Sequence, residues 1–200
     1  MIKLLFICLF SSTVFSLTPV EKNLNQLAQS LIERTHQHPK HIIFNDLRLP
    51  SSQKRMWIFD VASQKVYLQD YVTHGKDSGY LVATSFSNAE GSHQSSSGVY
   101  MIEGHYSGHH GYALILNGLE KGINHLAKKR HIVIHGANYV SDSFLKKYGR
   151  IGRSWGCPAV SHQSLALMKD RIEPGDLLIN ITNDPSWIGS TTLIDTSLLT

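Results

Sequence analysis

Two cysteines in 200 residues, Cys8 and Cys157, are too few for a disulfide framework. Long apolar runs are missing as well: the one near the N-terminus, Leu4 to Phe10, is too short to span a bilayer. No segment repeats, and no Gly-x-Gly-x-x-Gly fingerprint is present, so repeat arrays and dinucleotide-binding folds are excluded. Strong charge of one sign is absent too. A formal net charge of +4 fits attraction to an anionic polymer, but a charge of that size is also ordinary, and no nucleic-acid partner is expected from it.

What is present begins with a leader. Lys3 supplies a positive start, Leu4 to Phe10 an apolar stretch, and Val14-Phe15-Ser16 a cleavage site, so residues 1–16 read as a secretory signal peptide. Phe6 and Ile7 are too bulky for a lipid-attachment site at Cys8. The mature chain then carries no transmembrane segment, lies in the periplasm or cell-wall space of a bacterium, and keeps Cys157 alone. A single thiol in an oxidising compartment has no internal partner, which leaves a reactive thiol, one linked to another molecule, or an inert buried one.

Residues 17–39 follow as an N-terminal amphipathic helix. Thr18-Pro19-Val20-Glu21 forms a capping box with proline at the first helical position, and Leu24, Leu27, Ala28, Leu31 and Ile32 recur at helical spacing. From Ile42 the period is that of strands: Arg55 to Asp60 and Lys65 to Val72 flank a polar turn, and Gly98 to Ile102, Tyr112 to Leu116, His131 to His135 and Asp176 to Ile181 add more. Ser141 and Ser161 can each cap a short helix, the second with Leu165, Met168 and Ile172 inward. The expected body, residues 40–183, is mainly β, a sandwich or partly open barrel with a few short helices, followed by a Ser/Thr-rich tail over 184–200.

Two stretches carry chemistry. His135 ends the apolar run Ile132-Val133-Ile134, so a rigid strand can aim it, and Gly136 behind it offers a carbonyl able to hold the imidazole in one tautomer. Cys157 lies in Ser154-Trp155-Gly156-Cys157-Pro158, where Gly156 permits a sharp turn and Pro158 fixes the exit. A cysteine attacks as thiolate and needs a base, and the amides of Gly156 and Cys157 are candidates for an oxyanion hole.

Ile132-Val-Ile-His-Gly136 followed by Ser154-Trp-Gly-Cys157 resembles the signature of the murein L,D-transpeptidase catalytic domain, over roughly Ser51 to Ile181. The resemblance implies a cysteine acyltransferase acting on peptidoglycan stem peptides, either a transpeptidase or a carboxypeptidase. Cys157 would be its nucleophile, His135 its base, Gly136 the orienting carbonyl, and Gly156 with Cys157 the oxyanion hole. The acyl acceptor would be a second stem, a lipoprotein lysine, a D-amino acid or water, with neither metal nor organic cofactor. Three departures point to a divergent branch: Trp155 replaces the usual histidine, Pro158-Ala159 replaces the usual pair after the cysteine, and the gap from histidine to cysteine is longer. The alternatives are a cysteine cell-wall endopeptidase, against which the order His135 before Cys157 counts, and a non-catalytic wall-binding scaffold.

Around this pair, Ser154, Trp155, Arg153, His74 and His110 are candidate substrate contacts, Arg153 through a substrate carboxylate. His105, His109 and His110 cluster in a glycine-rich loop that lacks the helical His-Glu-x-x-His geometry of a zinc site. Thr84 to Gly98 is long and patternless, the kind of stretch that forms a groove wall, a lid or a plain surface loop.

Overall fold

A computed structural model describes residues 17–108 and 111–199. The leader, Cys8, His109 and His110 lie outside the described residues. Helix α1 (Pro19–Thr35) begins as its sequence requires: Glu21 N–H donates to Thr18 Oγ1 at 3.2 Å, and the Glu21 carboxylate accepts from Thr18 N–H at 2.9 Å. It ends at His36, whose left-handed backbone directs its N–H to Ile32 O.

Eight strands form one sheet: β1 (His41–Asp46), β2 (Met56–Asp60), β3 (Lys65–Asp70), β4 (Gly98–Gly108), β5 (Gly111–Gly118), β6 (Val133–Gly136), β7 (Ala159–Val160) and β8 (Leu177–Ile181). Their order across the sheet is β3-β2-β1-β8-β4-β5-β6-β7. Pairings are antiparallel except β1 with β8 and β6 with β7. Of the two forms expected from sequence, the partly open barrel is the one found. Beyond β3 the chain turns back onto β7, where Thr73 N–H donates to Ala159 O at 3.0 Å and Ser154 N–H to His74 O at 3.0 Å. The two ends of the sheet therefore meet.

Period-2 alternation divides the apolar side chains between two cores. Ile43, Ile58, Tyr100, Ile102, Leu114, Ile134 and Leu178 line the inner one, joined by Leu165, Met168 and Ile172. Ile42, Phe44, Phe59, Leu177 and Ile179 face the other way, under Leu24, Leu27, Ala28 and Leu31 of α1. The short helices α2 (Asp142–Tyr148) and α3 (His162–Lys169) start at Ser141 and Ser161, each serine hydroxyl accepting a backbone N–H of the first turn.

One expectation changes. The stretch from Glu103 towards the clustered histidines, read as a loop, continues β4 as far as Gly108, paired with β5. Its side chains beyond Ile102 are largely exposed, so no apolar alternation marks it as strand. In the Ser/Thr-rich tail, α4 (Pro185–Ile188) and a 3₁₀ turn at Thr196–Leu199 place Trp187, Ile194 and Leu199 in the outer core. Glu120 binds this end down, accepting from Trp187 Nε1 at 3.1 Å and from Val99 N–H at 2.6 Å.

The Thr18 backbone N–H, with smaller help from its hydroxyl, holds the Glu21 carboxyl down at about 2 from 4.5, so this cap stabilises above the ordinary carboxylate value and is lost as pH falls towards 2. Thr18→Ala is expected to cost about 1 kcal/mol at pH 7. In urea melts the difference from wild type should shrink only slightly as pH is lowered through that window, because alanine keeps the backbone N–H and loses only the hydroxyl's smaller share.

Candidate active site

Strand β6 carries His135 between two neighbours, opposite Ala113 of β5 and Ala159 of β7. Its Nδ1 lies 3.2 Å from Gly136 O. A carbonyl can only accept, so Nδ1 bears the proton, and in the neutral ring Nε2 is left with the lone pair a base requires. Gly136 is tightly packed: a Cβ there would sit 2.6 Å from His162 Nδ1.

Cys157 lies two residues before Ala159, and continuing the parallel register sets it beside Val133, about 7 Å along the strand from the level of His135. Its Sγ lies 3.6 Å from His131 O, an acceptor within reach of the thiol proton. Burial pushes the thiol pKa up, while the Val133 N–H and the Arg130 charge pull it down.

The turn that presents this sulfur is fixed from several sides. Gly156 adopts φ 119°, and a Cβ on it would lie 2.7 Å from Gln94 O. Ser154 Oγ donates to Cys157 O at 2.6 Å and accepts from Gly156 N–H at 3.1 Å. Thr73 Oγ1 donates to the same Cys157 carbonyl at 3.2 Å, and Ser95 Oγ to Gly156 O at 3.4 Å. These bonds correct two expectations. The Gly156 amide is already occupied, so it does not stand free for an oxyanion, whereas the Cys157 amide takes no part in the turn's own bonds. Ser154 is buried with its hydroxyl committed, which makes it a staple of the turn rather than a substrate contact.

His74 is corrected in the same way. It is wholly buried, accepting from Arg55 Nη2 at 2.8 Å through Nδ1 and donating from Nε2 to Gly79 O at 3.2 Å. Burial first, then the Arg55 charge, lowers its pKa to about 4. Arg55 is also fully buried and reaches Val72 O and Leu49 O, so the pair pins the chain that closes the barrel.

Trp155 does the opposite of a core aromatic, standing 71% exposed beside the nucleophile. The His93 ring packs against it, tilted by 42° with centres 5.0 Å apart, and Lys76 Nζ lies 5.7 Å from the ring centre. Arg153 is half-buried, donating through Nη1 to Lys76 O at 2.8 Å and Gly79 O at 2.9 Å, with its guanidinium 5.3 Å from Tyr80. His110, the last of the expected contacts, lies outside the described residues.

The long loop proves to be a wall. Ser95, Ser96 and Ser97 are buried, and Arg130 draws the loop in. Sequence reasoning passed over Arg130 because it ends the run Lys128-Lys129-Arg130, which reads as solvated charge. It also passed over Tyr139, whose phenol pKa burial raises, with a smaller push from Cys157. Among the described residues, no group of three histidines, cysteines or carboxylates could hold a metal ion, and no helix is long and apolar enough to cross a membrane.

Fold and site define a class of protein, curled β domains that hold one cysteine on a glycine turn beside a strand-end histidine. The chain belongs to the L,D-transpeptidase catalytic domain family, whose sequence profile matches residues 13–180. It is similar in structure to an L,D-transpeptidase from Mycobacterium smegmatis, at 12% identity and TM-score 0.43 over 72% of this chain and 59% of that one. One from Stackebrandtia nassauensis aligns at 11% identity and TM-score 0.44, over 83% and 77% of the two chains. One from Mycobacterium tuberculosis H37Rv aligns at 15% identity and TM-score 0.41, over 72% and 58%. The chain thus spans about three-fifths of the Mycobacterium smegmatis protein, 59% of its length. No curated protein matches the chain.

A histidine whose folded pKa is depressed favours folding above its ordinary value and opposes it below. Wild type should therefore lose stability, by up to about 3 kcal/mol, as pH falls from 6.5 towards 4. His74→Gln, which cannot take up that proton, should show a flatter profile over this window in denaturant melts.

Proposed function

We propose that this chain is a cysteine acyltransferase of peptidoglycan stem peptides, working through a thioester on Cys157. The observation that carries the reading is the His135 tautomer: Gly136 O holds Nδ1–H, which leaves Nε2 as acceptor on a strand beside the cysteine turn.

In the first step the thiol proton passes to His135 Nε2, and the sulfur attacks the peptide carbonyl before the terminal residue of the stem. The carbonyl electrons move onto oxygen, where the Cys157 amide stands as donor. Collapse re-forms the carbonyl and breaks the C–N bond, and imidazolium returns its proton to the departing amine. In the second step an amine or water attacks the thioester, His135 takes its proton, and the sulfur leaves.

Trp155, with Lys76 over its ring, provides an exposed aromatic face and positive charge for the donor stem, and Arg153, its guanidinium against Tyr80, supplies a second cation for the stem's carboxylates. The acceptor is an amine from a second stem, a lipoprotein lysine or a D-amino acid, or it is water. Residues 1–16 act as the export signal that delivers the domain to the wall.

The test is mass spectrometry of a disaccharide-tetrapeptide incubated with wild type, Cys157→Ala and His135→Ala. Wild type should release D-alanine, Cys157→Ala should release none and form no adduct with a carbapenem, and His135→Ala should be slower by about 10²–10⁴-fold. A dimeric product identifies transpeptidation and a tripeptide identifies trimming. Turnover surviving in Cys157→Ala, or no conversion by any of the three, would overturn the proposal.

A further inference from the structure

Arg130 is an arginine without an ionised partner. Its Nη1 donates to Ser87 O at 2.8 Å and Ser96 Oγ at 2.6 Å, and its Nη2 to Gln94 O at 2.6 Å and Ser92 Oγ at 3.3 Å. All four acceptors are neutral, and none of the ion pairs among the described residues includes it. Guanidinium forms its strongest bonds with anions, so a half-buried one holding only carbonyls and hydroxyls keeps most of its field unneutralised. That field falls on the nucleophile turn, for a Cβ on Gly156 would sit 3.2 Å from Arg130 Nη2.

The surrounding titratable groups leave one receiver. Tyr100 lies within reach, but burial pushes its phenol up to about 12 and it donates to Ser96 O, so it stays neutral. Burial likewise keeps Tyr139 protonated. Glu90, on the loop, is paired with Lys129 at 2.6 Å, and Asp77 faces His93 at 3.5 Å. Lys76 is held over Trp155, His131 offers only its carbonyl to the thiol, and the His135 imidazole is bound to Gly136 O. The group left to become an anion beside Arg130 is Cys157.

We propose that Arg130 is the positioning residue of the nucleophile: one guanidinium supplies the positive charge that stabilises the Cys157 thiolate and holds the Ser87–Ser96 wall against the turn. The proposal rests on Cys157 being the nucleophile. It involves no bond but the thiol's own, because the S–H proton passes to His135 Nε2 and leaves a thiolate beside Arg130. Enclosure in the inner core disfavours that charge, and the Val133 N–H and Arg130 offset it. Lysine has the charge but not the fork, and could not reach four oxygens at once. Loop order and thiol reactivity are therefore linked through one side chain.

The test is the pH dependence of iodoacetamide alkylation of the full chain, followed on the peptide that contains Cys157 so that Cys8 does not contribute. In Arg130→Gln the midpoint should rise by about one pH unit, with alkylation at pH 7 about tenfold slower. Arg130→Lys should keep the wild-type midpoint while amide exchange in the 87–96 wall accelerates. An unchanged midpoint in folded Arg130→Gln, or a rise in Arg130→Lys as large as one unit, would sink the proposal. If Arg130→Gln does not fold, the Lys variant decides alone, a wild-type midpoint supporting the charge role and a raised one refuting it. Because alkylation needs no stem peptide, failure of the acyltransferase reading would appear as absent turnover with the midpoint shift intact. Failure of this inference would appear as normal turnover with no shift.

Discussion

The meeting of residues 73–76 with 154–159 is the constraint on which the site depends. Thr73 Oγ1 receives the Ala159 N–H at 3.0 Å and gives its own proton to Cys157 O, so one hydroxyl joins both ends of the sheet at the reactive residue. Ser154 closes the same carbonyl from inside the turn. The cysteine carbonyl is thus anchored twice and the Gly156 amide once, which leaves the sulfur little freedom beyond rotation of its own side chain. A nucleophile held this way needs no reorganisation of backbone to reach a bound carbonyl.

Two arginines, Arg55 buried and Arg130 half-buried, do for the surroundings what these hydroxyls do for the turn. Arg55 gathers the carbonyls of Leu49 and Val72 with the His74 ring, and Arg130 gathers those of Ser87 and Gln94. Burying a cation without a carboxylate is unfavourable, and several donors satisfied at once offset it. In each case a segment with no regular secondary structure is brought to order around one side chain. Arg55 sets the floor by which the barrel closes, and Arg130 the wall beside the thiol.

Much of this was legible in the residues. Short strand-period runs marked β2, β3, β5, β6, β8 and the start of β4, the Thr18, Ser141 and Ser161 caps marked three helix starts, and the lone cysteine after Gly156 marked the turn. What could not be read was which polar side chains turn inward. His74, Ser154 and Trp155 were alike candidate substrate contacts, yet the first two are buried and only Trp155 is exposed. Their fates depend on partners far along the chain, Arg55 and Gly79 for the histidine and Gly156 and Cys157 for the serine. Arg130 was hidden for the same reason, since nothing near it tells that four oxygens of the 87–96 segment converge on it. The extension of β4 gave no signal because both of its faces meet water.

The parallel pairing of β1 with β8 has a consequence for how the molecule comes into being. The strand that sits between the first and second halves of the sheet is the last one synthesised, so β1 and β4 have no common neighbour until residues 177–181 exist. Contacts that bridge nearly the whole chain form slowly, after the loop between them has been closed. The local pairings β1-β2-β3 and β4-β5-β6 need no part of β8, but the sheet that joins them, and with it both cores, is complete only once residues 177–181 are in place.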